Sequence, residues 1–116
     1  MILFVEYPKC TTCKKAKKWL EEQGVEFESR HIVEENPTAE ELADWHKRSG
    51  LAIKRFVNTS GVKYRELQLK DKLSEMTDEE ICDLLATDGM LVKRPILVGE
   101  GFAVPGFKEA EWMEKI

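Results

Sequence analysis

Ile2, Leu3, Phe4 and Val5 are followed by Tyr7-Pro8, and beyond the proline the apolar positions change period. A β-branched and aromatic run this short, stopped by proline, reads as a buried strand. After it Cys13, Ala16, Trp19 and Leu20 fall at helical spacing among Lys and Glu, which predicts a helix from about Thr12 to Gln23 with Gly24 as its left-handed stop. A strand that turns directly into a helix leaves backbone N–H groups unpaired at the junction. Two cysteines occupy it, Cys10 in the turn and Cys13 in the first helical turn.

The unpaired amides and the helix macrodipole favour an anion at Cys10, and Lys14 and Lys15 place cations nearby. Cysteines in such settings titrate at roughly 3.5 to 7.5 instead of about 8.5, and the thiolate is the nucleophile. Cys10 is therefore expected to attack and Cys13 to resolve. Three blander uses of the pair fit less well. A structural zinc site needs four ligands, and only Cys82, His31 and His46 remain, each alone, so no metal is expected. Inert core thiols do not suit a turn flanked by Lys9 and two threonines. A structural disulfide belongs with secretion, and the chain shows no secretory signal pattern.

With 116 residues, 42% of them hydrophobic, one domain with one core is expected, spanning residues 1–116. A net charge of −4 with 34% charged residues gives no overall attraction to nucleic acid or to an anionic membrane surface. No apolar run approaches the roughly 20 residues of a spanning helix. Three cysteines, an odd number, fit a reducing compartment, so a cytoplasmic location is expected.

Val25 to Val33 alternates apolar and polar residues and reads as a second strand, parallel to the first because a helix joins them. Thr38-Ala39-Glu40-Glu41 is a capping box that opens a helix carrying Leu42, Trp45 and His46 inward and ending at Arg48-Ser49-Gly50. Val62 to Arg65 leads into a polar helical segment with Leu67, Leu69 and Leu73. A second capping box, Thr77 to Glu80, opens a helix whose inner face is Ile81, Leu84 and Leu85. Cys82 on that helix reads as a small packed residue outside the redox pair, His46 as a packed helix residue, and His31 as an exposed strand residue. Lys17–Glu21 and Lys18–Glu22 are spaced as i,i+4 pairs on an otherwise solvated face. Pro95 to Val98 reads as a third strand, Gly99-Glu100-Gly101 as a hairpin turn and Phe102 to Val104 as the return strand. Phe107 to Ile116 closes the chain as a helix with Trp112 and Met113 available to pack on the sheet.

That order gives an α/β fold, a thioredoxin-like mixed sheet flanked by helices, with residues 35–88 as an inserted helical lobe. In such a layout the Arg94-Pro95 bond faces the cysteine motif and is expected to be cis.

The segments YPKCTTCKKAKKWLEE, GLAIKRFVNTSGVKYREL and DGMLVKRPILV with VPGFKEAEW resemble the ArsC/Spx family, in particular its small YusI- and YffB-type members. The resemblance implies Cys10 as nucleophile, Lys14 as a basic residue one turn on, and Arg94-Pro95 as the entry to the third strand. In arsenate-reducing members three arginines bind the oxyanion. Arg94 matches one, Asn58 falls near the second position, and Ala103 to Gly106 contains no arginine at the third. The implied substrate contacts are Arg94, Pro95 and Asn58, and the implied reaction is reduction of a disulfide or related oxidised group rather than of arsenate. No bound cofactor is implied, and glutathione, thioredoxin or glutaredoxin would supply electrons. The Cys-x-x-Cys is also similar to that of the Spx regulators, a redox switch in proteins that bind the RNA polymerase α subunit, and Gly50 lies near their contact glycine. A monomer without direct nucleic-acid or membrane contact is expected.

Overall fold

A computed structural model describes residues 2–116. Four strands form one mixed sheet in the order β2-β1-β3-β4, with β1 (Ile2–Glu6) parallel to β2 (Phe27–His31) and antiparallel to β3 (Ile96–Gly99), which pairs antiparallel with β4 (Phe102–Pro105). Strand alternation sends neighbouring side chains to opposite faces. Phe4, Leu97 and Val104 therefore meet Ala16 and Leu20 of α1 (Thr11–Glu22) and Trp112 of the last helix. Val5, Ile96, Val98 and Ala103 meet Leu42 and Trp45 of α2 (Ala39–Ser49) and the helices that follow it. The inserted segment is thus the second covering layer of the sheet. β3 is buried at all four positions, as a central strand covered on both faces must be.

β2 is shorter than the alternation of Val25 to Val33 suggests, because side bonds claim both its ends. The Val25 N–H donates to Leu20 O at 3.2 Å, and His31 Nδ1 accepts the N–H groups of both Val33 and Glu34 at 3.1 Å, turning the chain out of the sheet. His31 is consequently half-buried, edge-on to Tyr7 at 5.9 Å, and not an exposed strand residue. Gly89 then passes so close to this corner that a Cβ there would overlap the Ile32 carbonyl.

The segment after Val62 is broken where one helix was expected. It forms α3 (Val62–Glu66), α4 (Leu69–Lys72) and a 3₁₀ turn, Leu73–Glu75. Leu67 and Leu69 stand two apart and cannot share one helical face. Gln68, left-handed at φ 54, resets the direction so that Leu69 and Leu73 enter the core while Leu67 stays exposed. α5 (Asp78–Leu85) starts at its capping box as expected and buries Ile81, Cys82 and Leu85. The last helix, α6 (Glu109–Lys115), is shorter than expected because Phe107 packs on Trp112, centroids 4.9 Å apart, before it begins. Trp112 is fully buried, whereas Met113, about 100° further round, is half exposed and does not pack on the sheet.

Both capping boxes are formed, and the first is reinforced from β2. Arg30 donates Nη2 to Glu41 Oε1 at 2.8 Å in a two-pronged pair, while Glu41 also accepts the Thr38 N–H at 3.0 Å. The Arg30 hydrogen bond, opposed by partial burial and helped by the Thr38 amide, brings the Glu41 carboxyl down from 4.5 to about 2. A depressed folded-state value contributes stability that is complete above about 4.5 and fades as pH falls toward about 2. Glu41→Gln should cost about 1 kcal/mol in urea unfolding at neutral pH, Glu41 being 34% exposed and Arg30 16%, with the deficit narrowing steadily as the titration is repeated below about pH 4. An equal deficit at every pH would contradict this.

Candidate active site

β1 ends at Glu6, Tyr7-Pro8-Lys9 turns, and Cys10 becomes the N-cap of α1 with extended backbone at φ −81 and ψ 124. The turn is fixed by the Cys10 N–H donating to Tyr7 O at 2.9 Å, and the helix starts with the Lys14 N–H donating to Cys10 O at 3.1 Å. The amides of Thr12 and Cys13 are left free for the Cys10 sulfur.

Cys10, Cys13 and Cys82 are all free thiols, but their surroundings differ. Partial burial pushes the Cys10 thiol up. Against this act the Cys13 N–H, the Cys13 thiol, the Thr12 N–H and the Arg94 guanidinium, and the sum lies below the ordinary value. Cys13 has no exposed surface, and that burial, together with the neighbouring Cys10, holds its thiol up at about 12, although the Tyr7 N–H donates to its sulfur at 3.5 Å. The two thiols are thus split in character: Cys10 accessible and easily ionised, Cys13 enclosed and protonated. Cys82 is buried in the other layer, pushed up by burial and by Asp78, Asp83 and Glu79.

Arg94 comes to Cys10 from across the sheet. Its Cζ lies 5.0 Å from the centroid of the Tyr7 ring and its Nη1 donates to Met90 O at 3.4 Å, so an aromatic face and a carbonyl aim the guanidinium. The next bond, Arg94-Pro95, is cis, and Pro95 is buried with its carbonyl accepting the Gly106 N–H at 2.8 Å. Asn58 lies one shell further out. Its Nδ2 donates to the same Met90 carbonyl at 3.3 Å and its N–H donates to Leu91 O at 2.8 Å, so its amide braces the carbonyl that holds Arg94.

Lys14 is exposed, and its ammonium makes no hydrogen bond or ion pair among the described residues; the cation brought to the Cys10 sulfur is Arg94. Lys17 is not paired with Glu21. It reaches Glu6 at 3.4 Å, a carboxylate only 8% exposed at the end of β1, because a buried anion draws the nearest cation more strongly than a solvated neighbour does. Tyr7 and Met90 have site roles that the motif spacing does not signal. Tyr7 carries a hint, since an aromatic residue directly between a strand and a Pro-x-Cys turn must lie against that turn. Met90 carries none, because its contribution is a backbone carbonyl. Among the described residues no three His, Cys, Asp or Glu side chains converge as metal ligands.

Residues 5–115 of the sequence match the ArsC family. The chain belongs to the ArsC family. Bacillus subtilis YusI is 52% identical over 97% of this chain and 96% of its own length. The regulatory protein MgsR of the same organism is 34% identical, covering 97% and 88%. The global transcriptional regulator Spx of Enterococcus faecalis is 28% identical, covering 96% and 83%. Among solved structures, an ArsC family related protein from Bacteroides fragilis superimposes with a TM-score of 0.95 at 56% identity over 97% of this chain and 95% of that one. The mixed four-stranded sheet and its covering helices thus give this ArsC-family protein a thioredoxin-like α/β architecture that it shares with its structural neighbours.

Proposed function

We propose that this ArsC-family protein is a thiol–disulfide oxidoreductase in which Cys10 is the nucleophile and Cys13 the resolving thiol. The observation that carries this is the division of labour between the two sulfurs, one accessible with its ionisation favoured by two amides and a guanidinium, the other enclosed and protonated beside it. The Cys10 thiolate attacks one sulfur of a substrate disulfide, forming a mixed disulfide and releasing a thiolate that takes a proton from water. Cys13 then loses its proton and attacks the Cys10 sulfur, closing Cys10–Cys13 and releasing the second substrate thiol. Two electrons pass to the substrate, and glutathione, thioredoxin or glutaredoxin returns the protein to its dithiol.

Arg94 and the helix start stabilise the negative sulfur, Pro95 follows Arg94 at the entry to β3, and Asn58 acts through the Met90 carbonyl that holds Arg94. With one of the three oxyanion-binding arginines in place, disulfide reduction is favoured over arsenate reduction. The protein would act in the cytoplasm as a monomer; three free thiols fit a reducing compartment, and no helix among the described residues is long and apolar enough to cross a membrane.

Alkylation of the reduced protein at graded pH tests the activation. The Cys10 rate should reach half-maximum below the pH of an ordinary cysteine, and Arg94→Met should move that midpoint upward. A midpoint equal to that of free cysteine would contradict the proposal.

The relatives MgsR and Spx favour a second reading, a redox-sensing regulator that binds the RNA polymerase α subunit with the same cysteine pair as switch. Pull-down with the α C-terminal domain in reduced and oxidised states decides it, since absence of binding in both removes a regulator of that kind.

A further inference from the structure

Two open cavities of about 360 and 330 Å³ adjoin beside the cysteine turn and share Arg55 and Lys93 in their walls. Lys54 lines the outer one, Lys108 the inner one, and Thr12 closes the inner end. In a chain of net charge −4, neither cavity is lined by any acidic residue. None of the four cations is in an ion pair among the described residues.

The backbone holds this trough open. The Lys93 N–H donates to Phe56 O at 2.8 Å, tying β3's approach to the 3₁₀ turn Ile53–Phe56 that carries Lys54 and Arg55. Across from it Gly106 is left-handed at φ +81, and a Cβ there would come within 3.3 Å of Lys93 Cε, so a bare backbone gives the lysine stem room. Four like charges along one channel repel each other and gain most from an anion that spans them.

We propose that this trough selects protein disulfides flanked by an acidic segment, a specificity that rests on the oxidoreductase function above. Two joined cavities with four spaced cations match a polypeptide carrying several carboxylates better than one small anion. Thr12, which lines the inner cavity, donates its N–H to the Cys10 sulfur and so places that sulfur next to the trough. A segment bound along Lys54, Arg55, Lys93 and Lys108 therefore delivers its own disulfide to Cys10, which captures one sulfur; Cys13 then releases it as a thiol, leaving the protein oxidised as Cys10–Cys13.

The test uses the reduced full chain and three peptides of equal length, each with a cysteine activated as a 2-pyridyl disulfide and flanked by glutamate, glutamine or lysine. Thiopyridone release is measured at low salt and normalised to each peptide's rate with mercaptoethanol. The glutamate peptide should react about tenfold faster than the glutamine peptide, the lysine peptide slowest. The glutamate-to-glutamine ratio should fall toward one in about 1 M salt, and below one in a Lys54→Glu, Lys93→Glu variant. A ratio of one in the wild type at low salt overturns the proposal without touching the oxidoreductase function. So does stronger inhibition by a single-stranded oligonucleotide than by polyglutamate, which would assign the trough to nucleic acid. Release no faster than with Cys10→Ser for all three peptides would remove the oxidoreductase function and the proposal together.

Discussion

Replacing Cys10 by serine should lower reduction of a model disulfide by about 10³-fold or more, with glutathione or thioredoxin as donor, because a serine hydroxyl is not ionised by amides and one guanidinium. Cys13→Ser should behave differently. Its first attack remains, since the Thr12 and Cys13 amides and Arg94 still face the Cys10 sulfur, but the mixed disulfide has no internal thiol to displace it. Intact-mass measurement should show that adduct accumulating stoichiometrically in Cys13→Ser and no adduct in Cys10→Ser. Burial also sets the pH behaviour of the second step. Because burial holds the Cys13 thiol up while the Cys10 thiol lies below its ordinary value, resolution should go on accelerating to higher pH than capture does. Full steady-state activity in Cys13→Ser would mean that the donor attacks the mixed disulfide directly, and the resolving role would be wrong.

The largest effect on stability is expected at Trp112. It is fully buried, makes edge-on contacts with Phe4, Trp19 and Phe107, and donates its Nε1–H to Gly106 O at 2.9 Å. Trp112→Ala should cost about 3–5 kcal/mol in urea unfolding, a large share of a typical single-domain stability. Trp112→Phe retains most of the apolar area but leaves the Gly106 carbonyl without its indole donor, at about 1–3 kcal/mol. The same loop carries the Gly106 N–H to the Pro95 carbonyl, so both variants should also loosen the wall facing Cys10, visible as faster amide exchange at Gly106. A Trp112→Ala midpoint within experimental error of the wild type would show that α6 does not help hold this face.

The order of elements and the position of the cysteine turn could be read from the chain because each has a local signal. Thr38 and Thr77 announce their helices through a glutamate three residues later, both boxes are formed, and the apolar run before Tyr7-Pro8 is the strand that aims the cysteine turn. What could not be read are choices made between residues far apart in sequence. Lys17 abandons its helical neighbour for Glu6, which looks like any other strand-end carboxylate until α1 covers it. Met113 and Trp112 differ by one position, and only the angle at which α6 crosses decides which is buried. Gln68 has no residue signature for a left-handed break, which is forced by the need to bring Leu69 and Leu73 inward. Lys54, Arg55, Lys93 and Lys108 come from three regions of the chain, and only the folded sheet makes them neighbours.

In the proposed oxidoreductase cycle, the enclosure of Cys13 also sets the order of events. With one sulfur sealed inside, oxidant and reductant must use the same doorway, so the first product has to leave before the second reactant can enter. Initial rates measured against one reactant at several fixed levels of the other should therefore give parallel double-reciprocal lines, the pattern of a shuttle that carries its electron pair from one visitor to the next.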